Sequence, residues 1–125
     1  MVCNKIVLVV DDDPDIVESI TILLESAGYN VKSADCGNRC FEILRYVRPD
    51  LIILDVMLDR VVEGFMVASV LKSNPEYHSI PIVMVSAIED CTGFTVDTDF
   101  LNIEAFIRKP VVPGEFLTRI ERLIA

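Results

Sequence analysis

Three runs in this chain, IVLVV within Lys5 to Val10, LIIL from Leu51 to Leu54 and IPIVMV from Ile80 to Val85, carry no charged residue between their ends and do not alternate. A strand with one wetted face alternates apolar and polar residues. Unbroken apolar runs of this length therefore read as strands covered on both faces, the usual condition inside a parallel sheet. Parallel neighbours cannot be joined by hairpins, so each connection must cross over the sheet, normally through a helix and with right-handed sense.

The intervening segments supply those crossovers. Asp13-Pro14 provides an N-cap and a first-turn proline, Ile16, Val17, Ile20, Leu23, Leu24 and Ala27 recur at helical spacing, and Gly28 provides a left-handed stop. Asn30 to Ala34 reads as a weaker, short strand. A second helix runs from Gly37 to about Val47 with Cys40, Phe41, Leu44 and Val47 on one face, and Arg48-Pro49 ends it. Gly64 to Lys72 is the third helix and Asn74-Pro75 its stop, after which the fourth strand runs to Ser86. Ala105 to Arg108 is a short fifth strand ending at Lys109, and Pro113 opens a last helix striped with Phe116, Leu117, Ile120, Leu123 and Ile124.

Alternation also calls for a helix between the fourth and fifth strands. Cys91, Thr92, Gly93, Thr95, Val96 and Thr98 are poor helix formers, so residues 89–102 are expected to be largely irregular, with at most a turn near Asp97 to Asn102. The chain of 125 residues and 14.0 kDa has no repeat or linker and reads as one domain, 1–125.

Eleven basic against 20 acidic residues give a formal charge of -9, which opposes direct contact with nucleic acid or an anionic membrane. The four cysteines show no CxxC pair and are expected as reduced thiols. Cys36 and Cys40 lie one helical turn apart, but with the lone His78 far along the chain they read as small core residues rather than metal ligands. The apolar start is too short for a signal sequence and no stretch reads as a membrane span, so the expected location is cytoplasmic.

Five residues stand at or just past strand ends: Asp11, Asp12, Asp55, Ser86 and Lys109. Taken singly each has an ordinary explanation as a turn, cap or surface residue. Parallel strands bring their carboxyl ends to one edge, however, and this spacing gathers three carboxylates, a hydroxyl and an ammonium in one crevice. Such a set suits a hard divalent cation held through oxygen ligands and a phosphoryl group, with Asp55 as nucleophile.

The pieces IVLVVDDDPDI, PDLIILDVML, IPIVMVSA and FIRKP, in this order and spacing, resemble the receiver domains of two-component response regulators over essentially the whole chain. The resemblance implies a flavodoxin-like, doubly wound, five-stranded parallel sheet of order 2-1-3-4-5, for which a receiver is itself a standard example; the fourth helix is here weak or irregular. It implies that Asp11, Asp12, Asp55 and the Met57 backbone carbonyl hold Mg2+ (or Mn2+). Asp55 would accept a phosphoryl group from a histidine kinase or histidine phosphotransfer protein. It further assigns Ser86, Ala87 and Lys109 to sensing the phosphate, Phe106 to the switch aromatic, and a cis peptide to Lys109-Pro110. The output would pass to a downstream effector or output domain. On this reading the chain is a switch that assists its own phosphorylation and dephosphorylation, not a turnover enzyme.

The chain departs from its relatives after Asp55, where VMLDRVVEGF has Asp59 in place of a common proline and reaches its glycine one residue late. Met66 and Val70, one turn apart with Val61 and Val62 nearby, stand where relatives more often carry charge; they form either an exposed patch for a homodimer or partner, or a locally buried one. Two other function classes remain open on the sequence. One is a phosphorylation-independent interaction module, against which the intact acid residues, Ser86 and Lys109 argue. The other is a small aspartyl hydrolase, against which the lack of a second carboxylate two residues from Asp55 argues.

Overall fold

A computed structural model describes residues 5–55, 63–86, 103–109 and 111–124. Five strands, β1 (Ile6–Val10), β2 (Asn30–Ala34), β3 (Leu51–Asp55), β4 (Ile82–Ser86) and β5 (Ala105–Arg108), pair in parallel in the order β2-β1-β3-β4-β5. Four helices are described: α1 (Pro14–Ser26), α2 (Gly37–Leu44), α3 (Glu63–Ser73) and α4 (Pro113–Ile124). The sheet is the doubly wound, flavodoxin-like one expected from the sequence. Residues 89–102, where irregular structure was anticipated, and Met57, Asp59, Val61, Val62, Ala87 and Pro110 lie outside the described residues.

The unbroken apolar runs are explained by the two cores. Leu8, Val10, Ile52, Leu54, Ile82 and Met84 pack with Cys40 and Leu44 of α2 and Val67, Ala68 and Leu71 of α3. Their odd-numbered or alternate neighbours, Val7, Val9, Leu51, Ile53, Val83 and Val85, pack with Ile20 and Leu24 of α1 and Phe116 and Ile120 of α4. Successive side chains of a strand point to opposite faces, so a strand wrapped on both sides needs an apolar residue at every position. Each fully buried side chain of this size contributes roughly 1.5–3 kcal/mol, and a charge at Ile53 would oppose the fold directly.

Local signals set the helix ends. Asp13 caps α1 by accepting from the Asp15 N–H at 3.0 Å, with Pro14 next to it. Gly28 takes φ 95°, and the Gly28 and Tyr29 N–H groups donate to Glu25 and Leu24 carbonyls at 3.0 and 3.1 Å, ending the helix before β2. Asp50 closes the opposite edge of the sheet. Its Oδ2 accepts from Ile6 N at 2.8 Å while its own N–H donates to Ile6 O at 2.7 Å, tying the approach to β3 to the start of β1.

Two element ends differ from the sequence expectation. α2 stops at Leu44, not Val47, because the next turn tightens: Arg45 and Tyr46 donate to the carbonyls of Glu42 and Ile43, three residues back. β4 begins at Ile82, not Ile80, because the Ile80 N–H is held by Tyr77 O in the preceding turn and Pro81 has no N–H; Pro81 contributes only its carbonyl, to Ile52 N at 2.9 Å. On α3, Met66 and Val70 are 69% and 51% exposed, so local packing leaves both side chains at the surface.

Lys72, near the end of α3, reaches under the sheet's other end. Its Nζ donates to His78 O at 3.3 Å and Ile80 O at 3.1 Å and pairs with the Glu104 carboxylate. Glu104 also receives Ile82 N at 3.3 Å and donates its own N–H to Ile82 O at 3.0 Å. The starts of β4 and β5 are thus clasped together by one charge-assisted network.

Candidate functional site

The carboxyl ends of β1, β3, β4 and β5 meet at one edge, and the topology explains which residues gather there. β1 is flanked by β2 and β3, and Val10 is in register with Leu54, so the residues just after each, Asp11 and Asp55, emerge side by side. One carboxylate oxygen each from Asp11, Asp12 and Asp55 lies within 4.8 Å of the other two. Asp11 and Asp55 are each only 4% exposed, while Asp12 is exposed.

Asp11 is fixed by its backbone and side chain together. Its N–H donates to Ala34 O at 3.0 Å, and its Oδ1 accepts from Asp13 N at 2.9 Å. Lys109 is delivered from the far side of the site by β5, whose last strand residue Arg108 is in register with Ser86; the Lys109 N–H donates to Ser86 O at 2.7 Å. Its Nζ lies 3.1 Å from Asp11 Oδ2 and 3.3 Å from Asp55 Oδ1. The second contact is an ion pair without hydrogen-bond alignment, so Asp55 Oδ1 is a buried oxygen that accepts no hydrogen bond. Ser86 is fully buried at the end of β4. Phe106, on β5, is half-buried against the α2/α3 core.

One ammonium serving two buried carboxylates leaves the site electrically uneven. Burial and then the neighbouring Asp11 charge push Asp55 up from 3.8 to about 7, against the opposing pull of Lys109. Burial alone would lower Lys109, but Asp55 and Asp11 outweigh it and raise Lys109 above its ordinary value. The ammonium is therefore held charged while one of its two carboxylates is not fully compensated. That is the arrangement expected of a site built for a further positive charge.

The donor set fits a hard divalent cation. Three clustered carboxylates, one with an oxygen that lacks a hydrogen-bond donor, offer the oxygen ligands that Mg2+ takes, and Asp12 among them is exposed to water that can complete the shell. Of the residues singled out in the sequence, the fold brings Asp11, Asp12, Asp55, Ser86 and Lys109 to this edge; Met57, Ala87 and Pro110 lie outside the described residues. The rim also includes residues that sequence reasoning passed over. A cavity of about 540 Å³ beside Asp11 and Asp12 is lined in part by Glu18, Ser33, Asp35 and Arg39. Asp35 directly follows β2, so the same strand-end rule that singled out Asp11 and Asp55 identifies it.

Residues 7–121 match the profile of the response regulator receiver domain. The chain is 36% identical over 118 residues to the DNA-binding response regulator MtrA of Mycolicibacterium smegmatis, covering 91% of this chain and 48% of that protein. It is 34% identical over 122 residues to the DNA-binding dual master transcriptional regulator RpaA of Synechocystis sp., covering 94% of this chain and 48% of that protein. The chain thus spans about half the length of these curated relatives. Among solved structures, a putative response regulator from Chloroflexus aurantiacus superposes with a TM-score of 0.87 at 25% identity, covering 98% of both chains. The chemotaxis protein CheY4 of Vibrio cholerae gives 0.81 at 26% identity, covering 97% of this chain and 99% of that one. With its five-stranded order, its strand-end acid cluster and a family match over nearly its full length, the chain belongs to the response regulator receiver domain family.

Proposed function

We propose that this receiver is a phosphoacceptor switch in which Asp55 takes a phosphoryl group from a histidine kinase or histidine phosphotransfer protein. The observation that carries the reading is the buried Asp55 Oδ1, which accepts no hydrogen bond while facing Asp11, Asp12 and the Lys109 ammonium. The reaction forms a bond from an Asp55 oxygen to phosphorus as the bond from phosphorus to the donor's imidazole nitrogen breaks. The imidazole keeps the electron pair and takes up a proton from water.

Asp11, Asp12 and Asp55 would hold Mg2+ (or Mn2+), with the Met57 carbonyl as a further ligand; when bound, the cation supplies positive charge that keeps Asp55 ionised and offsets the phosphoryl oxygens. Lys109 orients the incoming group through its ammonium. Its loss of a carboxylate partner at Asp55 is made good by a phosphoryl oxygen. Ser86 supplies a hydroxyl that turns toward the phosphate, Ala87 leaves it room, and Phe106 follows as the packing at the ends of β4 and β5 readjusts. Phosphorylation replaces the single carboxylate charge of Asp55 by a phosphoryl group carrying roughly -1.5 to -2, a net gain of up to about -1 together with new acceptor oxygens, and this biases two pre-existing arrangements of those ends. The switch is proposed to act in the cytoplasm and to signal to an effector or output domain; no described helix is long and apolar enough to cross a membrane. The formal charge of -9 argues that any nucleic-acid contact belongs to that output partner.

Incubation with Mg2+ and acetyl phosphate, followed by intact mass, tests the proposal. Wild type should gain one phosphoryl group and Asp55→Asn none. Absence of an adduct with acetyl phosphate and with a phosphorylated histidine donor would leave an interaction module that works without phosphate.

A further inference from the structure

We propose that the groove between β2 and α2 is a second docking site, which takes an extended acidic segment of a partner protein as an added strand. β2 is the edge strand of the sheet. Asn30 donates its N–H to Lys5 O and Ala34 O accepts from Asp11 N, both at 3.0 Å, so the even-numbered residues of β2 turn their backbone groups toward β1. Backbone groups alternate along a strand in a parallel pair, which leaves the N–H and C=O of Val31 and Ser33 directed to the open edge. An open edge of this kind accepts a further strand through main-chain hydrogen bonds.

The groove's side chains specify what kind of strand. A cavity of about 670 Å³ is lined by Lys32 and Ser33 of β2 and by Arg39, Glu42, Arg45 and Tyr46 among the residues of α2 and the turn after it. Three cations face one carboxylate in a chain whose formal charge is -9. Glu42 is already paired with Arg39 at 2.9 Å. Among the described residues Lys32 and Arg45 have no ion-pair partner, which leaves two cations to receive carboxylates. Tyr46 is 87% exposed, the most exposed large apolar side chain described, and offers a rigid face for an apolar residue of the incoming segment.

The chemistry discriminates among occupants. Outward main-chain donors and acceptors recognise a polypeptide, not a nucleic acid, and the overall negative charge opposes a long polyanion. A second copy pairing edge to edge would set Lys32 and Arg45 against their own equivalents, a like-charge contact. Arg39 and Ser33 also line the cavity beside Asp11 and Asp12, so the groove adjoins the acidic crevice. The carboxylates there repel an acidic segment and confine its charges to the Lys32 and Arg45 part of the groove. The surface is distinct from the phosphoacceptor residues and does not depend on their chemistry.

Fluorescence anisotropy with a labelled short peptide of alternating Glu and Val tests this on the whole chain. Wild type should bind it, and Lys32→Glu or Arg45→Glu should weaken binding about tenfold each. Ser33→Pro, which removes one outward N–H at an edge position that tolerates proline, should abolish binding with the charges intact. The same peptide with all backbone nitrogens methylated should also fail, a measurement that holds even if Ser33→Pro does not fold. Any of four results overturns the proposal: no binding by wild type, equal binding of a Lys-Val peptide, unchanged binding of the methylated peptide, or equal displacement by single-stranded oligonucleotide. A wild-type dimer in sedimentation that Lys32→Glu disperses would assign the edge to self-pairing instead.

Discussion

Replacing Asp55 by Asn should stabilise the metal-free protein, and the gain should depend on pH. A carboxyl raised from 3.8 to about 7 in the folded chain binds its proton in the folded state over a range where the unfolded chain has released it. Stability therefore falls as pH rises from about 4 to about 7, and above that the full cost of the buried charge is present. Roughly three units at about 1.36 kcal/mol per unit set a ceiling near 4 kcal/mol. Water reaching the site and adjustment of Lys109 reduce the working figure to about 2 kcal/mol. Asn has the shape without the charge, so Asp55→Asn should exceed wild type by about that amount at pH 8 and by about a third of it at pH 5. Urea unfolding with a chelator at both pH values measures the double difference. Added Mg2+ should shrink the pH 8 gap by stabilising wild type. An Asn variant no more stable than wild type at pH 8, or equally favoured at both pH values, would show that Asp55 is not the uncompensated charge.

Lys109→Met removes the ammonium shared at 3.1 and 3.3 Å by Asp11 and Asp55, and should destabilise the metal-free protein at pH 7 by about 3 kcal/mol, with part of the loss recovered in Mg2+, as read by urea unfolding. Mg2+ at ten times its dissociation constant should stabilise wild type by about 1.4 kcal/mol, and Asp12→Asn should shift that titration to higher concentration; a metal effect unaltered by the variant would move the ligand set elsewhere. Burial and the adjacent Cys36 push the Cys40 thiol up to about 12, so iodoacetamide should modify Cys36 well before Cys40 in the native protein; peptide mapping that finds equal rates would contradict the packing of α2.

The sheet was legible because each of its central strands is buried on both faces and the residues advertise it: Val7 to Val10 and Leu51 to Leu54 leave no polar position. The crevice was legible for a related reason, since parallel strands deliver whatever follows them to one edge, and Asp11, Asp55, Ser86 and Lys109 stand there. What escaped depended on local turn hydrogen bonds three residues apart. The end of α2 is set by a tightened turn that leaves no residue pattern; the start of β4 is set by the bond from Ile80 N to Tyr77 O together with Pro81, whose missing N–H is the one signal of it in the sequence. The exposure of Met66 and Val70 was open on the sequence, because an apolar residue on a helix reads alike whether a neighbour covers it or not. That Ser33 and Arg39 each line both cavities depends on how α2 packs beside β2, which residue pattern alone does not specify.

The Lys72 and Glu104 clasp gives β4 and β5 a fulcrum. Both strands are tied where they enter the sheet, by Lys72 to Ile80 O and by Glu104 to Ile82 N and O, and both finish at the crevice, one at Ser86 and the other just before Lys109. A strand of five residues spans roughly 16 Å. Rotation of a few degrees about the tied end therefore translates the crevice end by about 1 Å, the scale on which a hydroxyl or an ammonium gains or loses a hydrogen bond. Severing the clasp would leave the two strand starts held by the β3·β4 and β4·β5 ladders alone, so that binding energy at the crevice end is spread along the ladders rather than turned about one fixed point.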